Sequence, residues 1–155
     1  MFELDSETEI TTQLLLEIHF IAFSELYDWA GRWRTTIVEV GQLIPPEPTK
    51  ILQLMHQFVD NLSFKIRNGA TEQDHIDCLT FAHYEFIRIH PFNNGNGRTG
   101  RILMNIVALK LGYKPLELYY REGDSRKIYI DAMKLADKGN FVLLTTLIRK
   151  ELTTF

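Results

Sequence analysis

His90-Pro91-Phe92-Asn93-Asn94-Gly95-Asn96-Gly97-Arg98-Thr99-Gly100-Arg101 divides two stretches that read as helices. Upstream, Leu79, Ala82, Phe86 and Ile89 recur at helical spacing, with a start at Thr71 or Asp74. Pro91 ends that helix just past His90. Downstream, from Gly97 to Leu111, the pattern is apolar almost all round, which marks a central, buried helix. The loop therefore lies at a helix N-terminus, where unpaired N–H groups and the helix dipole favour an anion. Gly95, Asn96 and Gly97 keep that end open and rich in donors. Arg98 and Arg101 are three apart and share a face, and guanidinium groups fork around phosphate oxygens. His90 stands immediately before this cradle. It titrates near neutrality and suits a general base acting on a hydroxyl that approaches a bound phosphate.

Plainer readings exist. Asn-Gly-Asn-Gly is a common turn composition, and a histidine at a helix C-terminus interacts with the dipole. A central apolar helix, however, has little use for two arginines in its first turns unless they meet a partner. Gly95-x-Gly97-x-x-Gly100 also matches the dinucleotide fingerprint, with Glu117 about 20 residues on. That fingerprint requires a preceding strand and a βαβ unit, whereas the preceding segment here is helix-periodic. A P-loop is excluded because the Gly-Lys-Ser/Thr ending is absent.

Working outward, residues 7–29 read as a first helix, with Leu15, Ile18, Ala22, Leu26 and Trp29 on one stripe. Asp5 or Ser6 is its expected cap, Ser6 and Glu9 being in capping-box order. Residues 34–47 favour strand through Thr35, Thr36, Ile37, Val38 and Val40, break at Gly41 and end at Pro45-Pro46. The expectation is a small β-hairpin. Residues 49–67 form a strongly amphipathic helix with Leu52, Met55, Val59, Leu62 and Ile66 on its stripe, stopped at Asn68-Gly69. Residues 116–120 read as a short extended piece, and 125–136 and 141–152 as two last helices. The fold class is mainly α: a compact helical core over residues 1–155 as one domain, with one small hairpin.

Composition narrows the function classes. The 155 residues are 45% hydrophobic and 24% charged, with a formal net charge of −3. That balance argues against a nucleic-acid binder held by bulk electrostatics. The lone Cys78 precludes an internal disulfide framework and reads as a buried, inert thiol. The acidic N-terminus lacks the pattern of a signal peptide, and no apolar run reaches ~20 residues. The expectation is a cytoplasmic protein that binds neither membrane nor nucleic acid. His19, His56 and His75 show no metal-ligand spacing and read as surface or core polar residues, and His83 reads as structural.

The loop resembles the signature of the Fic family (filamentation induced by cAMP), His-x-Phe-x-Asp/Glu-Gly-Asn-Gly-Arg-x-x-Arg. The match falls at His90, Phe92, Gly95, Asn96, Gly97, Arg98 and Arg101. Tyr27 to Gly31 with Arg34 resemble the segment before the family's flap, residues 35–46 the flap itself, and Ile128-Tyr129 with residues 136–139 the region after the motif. The resemblance implies a Fic-like core that transfers AMP from ATP to a Tyr, Thr or Ser hydroxyl of a target protein. It implies His90 as the base and Phe92 as the loop's anchor. It implies that Gly95, Asn96 and Gly97 cradle the phosphates, that Arg98 and Arg101 hold the outer phosphates and the leaving pyrophosphate, and that Asn94, Thr99 and Gly100 belong to the nucleotide site. Val40, Gly41, Gln42 and Leu43 of the flap would line the nucleotide, Tyr129 and Ile130 would border the adenine, and Asp137 would lie near the base or ribose. The target would pair along the flap. Mg²⁺, or Mn²⁺ in its place, would accompany ATP.

Two departures from the family pattern stand out. Asn94 replaces the family's metal-binding acid, so any metal held there would be held weakly. The family's inhibitory Ser/Thr-x-x-x-Glu-Gly/Asn motif is absent: Thr146 to Glu151 is one residue too long, and Thr35 to Glu39 lies in the flap. Either the chain is unrestrained, or a separate antitoxin-like protein supplies the glutamate. Rival functions are a Fic-like phosphotransferase and a weakly catalytic nucleotide-binding regulator. The kinase branches of the family carry Lys where this chain has Gly97, so Gly97 favours AMP transfer.

Overall fold

A computed structural model describes residues 5–118 and 122–155. Six helices follow in order: α1 (Thr12–Phe23), α2 (Ile51–Asn68), α3 (Glu72–Ile89), α4 (Asn96–Lys110), α5 (Gly123–Asp137) and α6 (Val142–Glu151). α3 packs along α4, α2 and α6, and α1 closes over α4. The core gathers Leu15, Met55, Leu62, Leu79, Phe86, Leu103 and Val107, among others, from these contacts. Cys78 belongs to it, and burial pushes its thiol up to about 11. No helix among the described residues is long and apolar enough to cross a membrane.

Local chemistry sets the helix ends. Thr71 and Asp74 form a reciprocal capping box at the start of α3, the side chain of each receiving the other's backbone N–H. α1 is shorter than its periodicity suggests. Asp5 folds a separate turn by accepting from Glu7 N and Thr8 Oγ1, and Thr11 caps the helix by accepting from Leu14 N at 3.0 Å. Beyond Phe23 the chain runs through successive turns to Arg32. The expected stripe divides accordingly: Leu15 and Ile18 are buried, whereas Leu26 is 65% exposed. On α2 the buried face is Ile51, Met55, Phe58, Val59 and Leu62, and Leu52 lies outside it.

The expected β-hairpin does not form. Among the described residues there are no strands, and residues 35–46 carry a single antiparallel bridge, Val40 with Leu43, closing a turn over Gly41 and Gln42. The ladder cannot lengthen because Pro45 and Pro46 have no N–H to donate. The N-terminal arm is turned elsewhere: the Arg34 N–H donates to the Pro91 carbonyl at 2.8 Å. Away from that bridge a side chain joins the two arms: the Arg34 guanidinium donates to the carbonyls of both Thr36 and Pro46. After α4, Tyr113 pairs with Thr154, and the chain continues without helix or strand to Leu118. The rest of the extended piece expected there lies outside the described residues.

Candidate active site

The loop between α3 and α4 is built on an unusual residue. His90 caps α3 in the left-handed region, φ 53°, and is the one non-glycine residue there among those described. Pro91 disfavours the helical region at position 90, and Arg34 over-determines the result. The Arg34 side chain is 2% exposed and donates to the carbonyls of His90 at 2.6 Å and Ile89 at 3.3 Å. A cation thus sits at the negative end of α3.

His90 is half-buried. Its Nδ1 lies 3.3 Å from the Ile87 carbonyl and donates to it, which leaves Nε2 as the basic atom. Nε2 takes no protein partner among the described residues. Burial first, and the nearby Arg34 charge as well, hold the imidazole below its usual 6.5, against a smaller opposing effect of the Ile87 carbonyl. The ring is therefore neutral at physiological pH and able to accept a proton.

Beyond His90 the loop is pinned inward. Phe92 is fully buried, stacked on His19 with ring centroids 3.8 Å apart and flanked by Trp33 and Phe86. The Asn96 amide locks the Phe92 backbone from both sides, accepting from its N–H at 2.9 Å and donating to its carbonyl at 2.7 Å. Gly95 precedes α4 at φ 82°, and a Cβ there would fall 2.5 Å from the Phe23 ring. Only glycine fits that conformation and that contact. No side chain caps α4, so its first-turn N–H groups remain available to an anion. A Cβ at Gly97 would meet only Arg101 Nη1, at 3.5 Å.

Arg98 and Arg101 line one cleft of about 600 Å³, together with Phe23, Ile102, Leu116 and Glu117. Arg98 lies over the Phe23 ring, 4.4 Å from its centroid. Thr99 is buried and donates its hydroxyl to the Gly95 carbonyl, and Gly100 lets α4 approach Phe86 closely. The side chains of Asn96 and Thr99 and the missing one of Gly100 thus serve the loop's architecture, and the Thr99 backbone N–H is itself engaged by the Gly95 carbonyl at 3.0 Å.

The remaining expected residues lie on two other elements. Val40, Gly41, Gln42 and Leu43 form the turn whose base Arg34 ties to the loop. Thr36 Oγ1 also donates to Asn93 Oδ1 at 2.9 Å. On α5, Tyr129 is buried with its hydroxyl 2.7 Å from His83 Nε2. Burial brings His83 down to about 4, and the Arg101 charge adds to this. Burial raises the Tyr129 phenol, with the Arg101 charge opposing. The second motif arginine therefore lies within electrostatic reach of α5. Ile130 is about one-third exposed, and Asp137 accepts from the Tyr84 hydroxyl at 2.9 Å.

Asn94 is exposed. Its Oδ1 accepts from Gly95 N at 2.7 Å and its amide donates to the Tyr27 hydroxyl at 3.0 Å. Among the described residues no group of three or more His, Cys, Asp or Glu gathers to hold a metal ion. With no carboxylate at position 94 and one lone pair of its amide oxygen taken, the residues present do not make a resident cation site.

Sequence reasoning missed two supports of this loop, His19 and Arg34. His19 carried no spacing signal, and the burial of Arg34 follows from tertiary contacts alone.

Residues 9–108 match the Fic/DOC family. Over 133 residues the chain is 34% identical to protein adenylyltransferase Fic of Drosophila grimshawi, covering 85% of this chain and 26% of that protein. It is 33% identical over 111 residues to protein adenylyltransferase fic-1 of Caenorhabditis elegans, covering 72% and 21%. The chain thus spans about a quarter of the length of these relatives. A fragment of Fic-1 from C. elegans superposes with a TM-score of 0.74 at 28% identity, over 92% of this chain and 41% of that one. A Fic-domain signalling protein of Bacteroides thetaiotaomicron gives 0.81 at 18% identity, over 96% and 61%. With the loop, its bracing arginine and the helical frame in place, this chain belongs to the Fic/DOC family.

Proposed function

We propose that this domain transfers AMP from ATP to a side-chain hydroxyl of a target protein. One observation carries the reading: a neutral imidazole with a free Nε2 stands beside an uncapped helix N-terminus and two arginines on one cleft. ATP's phosphates lie against the first-turn N–H groups of α4, with Arg98 and Arg101 on the outer phosphates. His90 Nε2 takes the proton of the incoming Tyr, Thr or Ser hydroxyl. The hydroxyl oxygen bonds to the α-phosphorus, the bond from that phosphorus to the bridging oxygen breaks, and pyrophosphate leaves with that electron pair. Catalysis rests on positioning and charge neutralisation. Mg²⁺ or Mn²⁺ arrives on the ATP as part of the substrate. A Fic-fold protein, BepC of Bartonella tribocorum, was solved with bound AMPPNP, which is in keeping with this ligand class. Adenine lies toward Tyr129 and Ile130, with Asp137 near the base or ribose.

The target docks on residues 35–46, where Ile37 and Ile44 are 75% and 79% exposed and the backbone pairs at one bridge only. The domain is either unrestrained or held by a separate antitoxin-like protein that places a carboxylate against the motif arginines, and co-purification of a small partner decides between the two. Incubation with α-labelled and γ-labelled ATP tests the reading. Label from the α-position on protein, lost in His90→Ala, is the expected result. Label from the γ-position signifies a phosphotransferase, and no label on protein a nucleotide-binding regulator.

A further inference from the structure

His19 is fully buried at the back of the loop and takes no part in the chemistry above. Its Nδ1 receives the Gly31 backbone N–H at 2.9 Å. A backbone N–H only donates, so Nδ1 is unprotonated, and Nε2 carries the ring proton. Nε2 donates that proton to the Asn94 carbonyl at 2.9 Å. Phe92 at 3.8 Å and Trp29 at 5.8 Å stack on the ring and fix its plane. One neutral tautomer is therefore selected by two backbone groups.

The carbonyl that His19 holds belongs to the same peptide as the Gly95 N–H. In a planar trans peptide the two point in opposite directions. Turning the carbonyl inward onto His19 turns the N–H outward, where the exposed Asn94 Oδ1 receives it. Were this peptide to flip, a carbonyl oxygen would turn toward the mouth of α4 and repel incoming phosphates.

We infer that His19 is a positioning residue for nucleotide binding: its Nε2–H fixes the Asn94–Gly95 peptide so that the mouth of α4 presents donors to the phosphates. The inference rests on the nucleotide reading above. It predicts unequal effects of two neutral substitutions. In His19→Gln the amide nitrogen reaches the place of Nε2 and still donates to Asn94. In His19→Asn the shorter amide sits near Nδ1, keeps the Gly31 bond and loses the one to Asn94. One charge-free hydrogen bond to the loop corresponds to about tenfold in affinity. The KM for ATP is expected to stay within about threefold of wild type in His19→Gln, and to rise about tenfold in His19→Asn with kcat little changed. Equal KM increases in the two variants, or a wild-type KM in His19→Asn, overturn the inference. The Gly95 amide resonance, compared between wild type and His19→Asn without nucleotide, supplies a readout independent of activity. A displaced resonance is expected, and an unmoved one overturns the proposal. Wild-type protein that binds no ATP would sink the functional reading instead, and the Gly95 resonance would still decide the role of His19.

Discussion

Arg34 Nε donates to the His90 carbonyl at 2.6 Å, tying the segment before the flap to the C-terminus of α3. The same guanidinium serves Ile89, Thr36 and Pro46. Among the described residues no carboxylate pairs with it; helix-end and loop carbonyls take its hydrogen bonds. Arg34→Ala would leave several buried carbonyls unsatisfied and is expected to lower stability by about 3 kcal/mol in urea unfolding. Arg34→Lys keeps the charge without the fork and should lose about half as much. A loss below about 0.5 kcal/mol in the alanine variant would show that the carbonyls find other donors.

The pH dependence of the proposed AMP transfer follows from His90. The reaction needs the neutral ring, and burial holds its pKa below 6.5. Activity is therefore expected to be flat at and above pH 7 and to fall on acidification only below pH 6.5. An acid limb in kcat/KM centred above pH 7 would contradict the neutral-base assignment.

The helices that carry the site were legible because α3 and α4 are long and periodic and the glycine-rich break between them is unmistakable. The shared face of Arg98 and Arg101 followed from their spacing, and both do line one cleft. The flap was misread. Thr35 to Val40 have strand propensity, but propensity cannot show that Arg34 N already serves Pro91 or that one guanidinium joins both arms. His19 was invisible for a related reason. Its partners, Gly31 and Asn94, are backbone groups brought together only by the fold.

His83 gives a stability prediction. Its folded pKa is about 4, against an ordinary 6.5 in the unfolded chain. The unfolded state takes up the proton first, so this contribution is complete above pH 6.5 and lost as pH falls toward 4. The loss amounts to about 3 kcal/mol. Urea midpoints measured across that range should decline less steeply in His83→Gln than in wild type.

Gly95→Ala is expected to damage the loop. It places a Cβ at φ 82° and 2.5 Å from the Phe23 ring. Strain and overpacking together should cost about 2–4 kcal/mol. ATP binding should weaken in parallel, because the mouth of α4 shifts. Calorimetric titration together with thermal melts checks both. A variant with wild-type affinity and melting temperature would show that Phe23 yields freely.

Asn94→Asp should preserve the fold, since a carboxylate can accept from both Gly95 N and the Tyr27 hydroxyl. The added charge should reduce the Mg²⁺ concentration needed for half-maximal turnover by about tenfold. If the metal requirement is unchanged, the amide is no handicap and the ATP phosphates alone secure the ion.

Both tryptophans of the chain lean on this one loop. Trp33 lies against Phe92, and Trp29 stacks at 4.3 Å on Tyr27, whose hydroxyl receives the Asn94 amide. Indole emission from the unlabelled protein is thus a local optical signal. It should report nucleotide arrival and departure in real time, with no dye and no engineered probe.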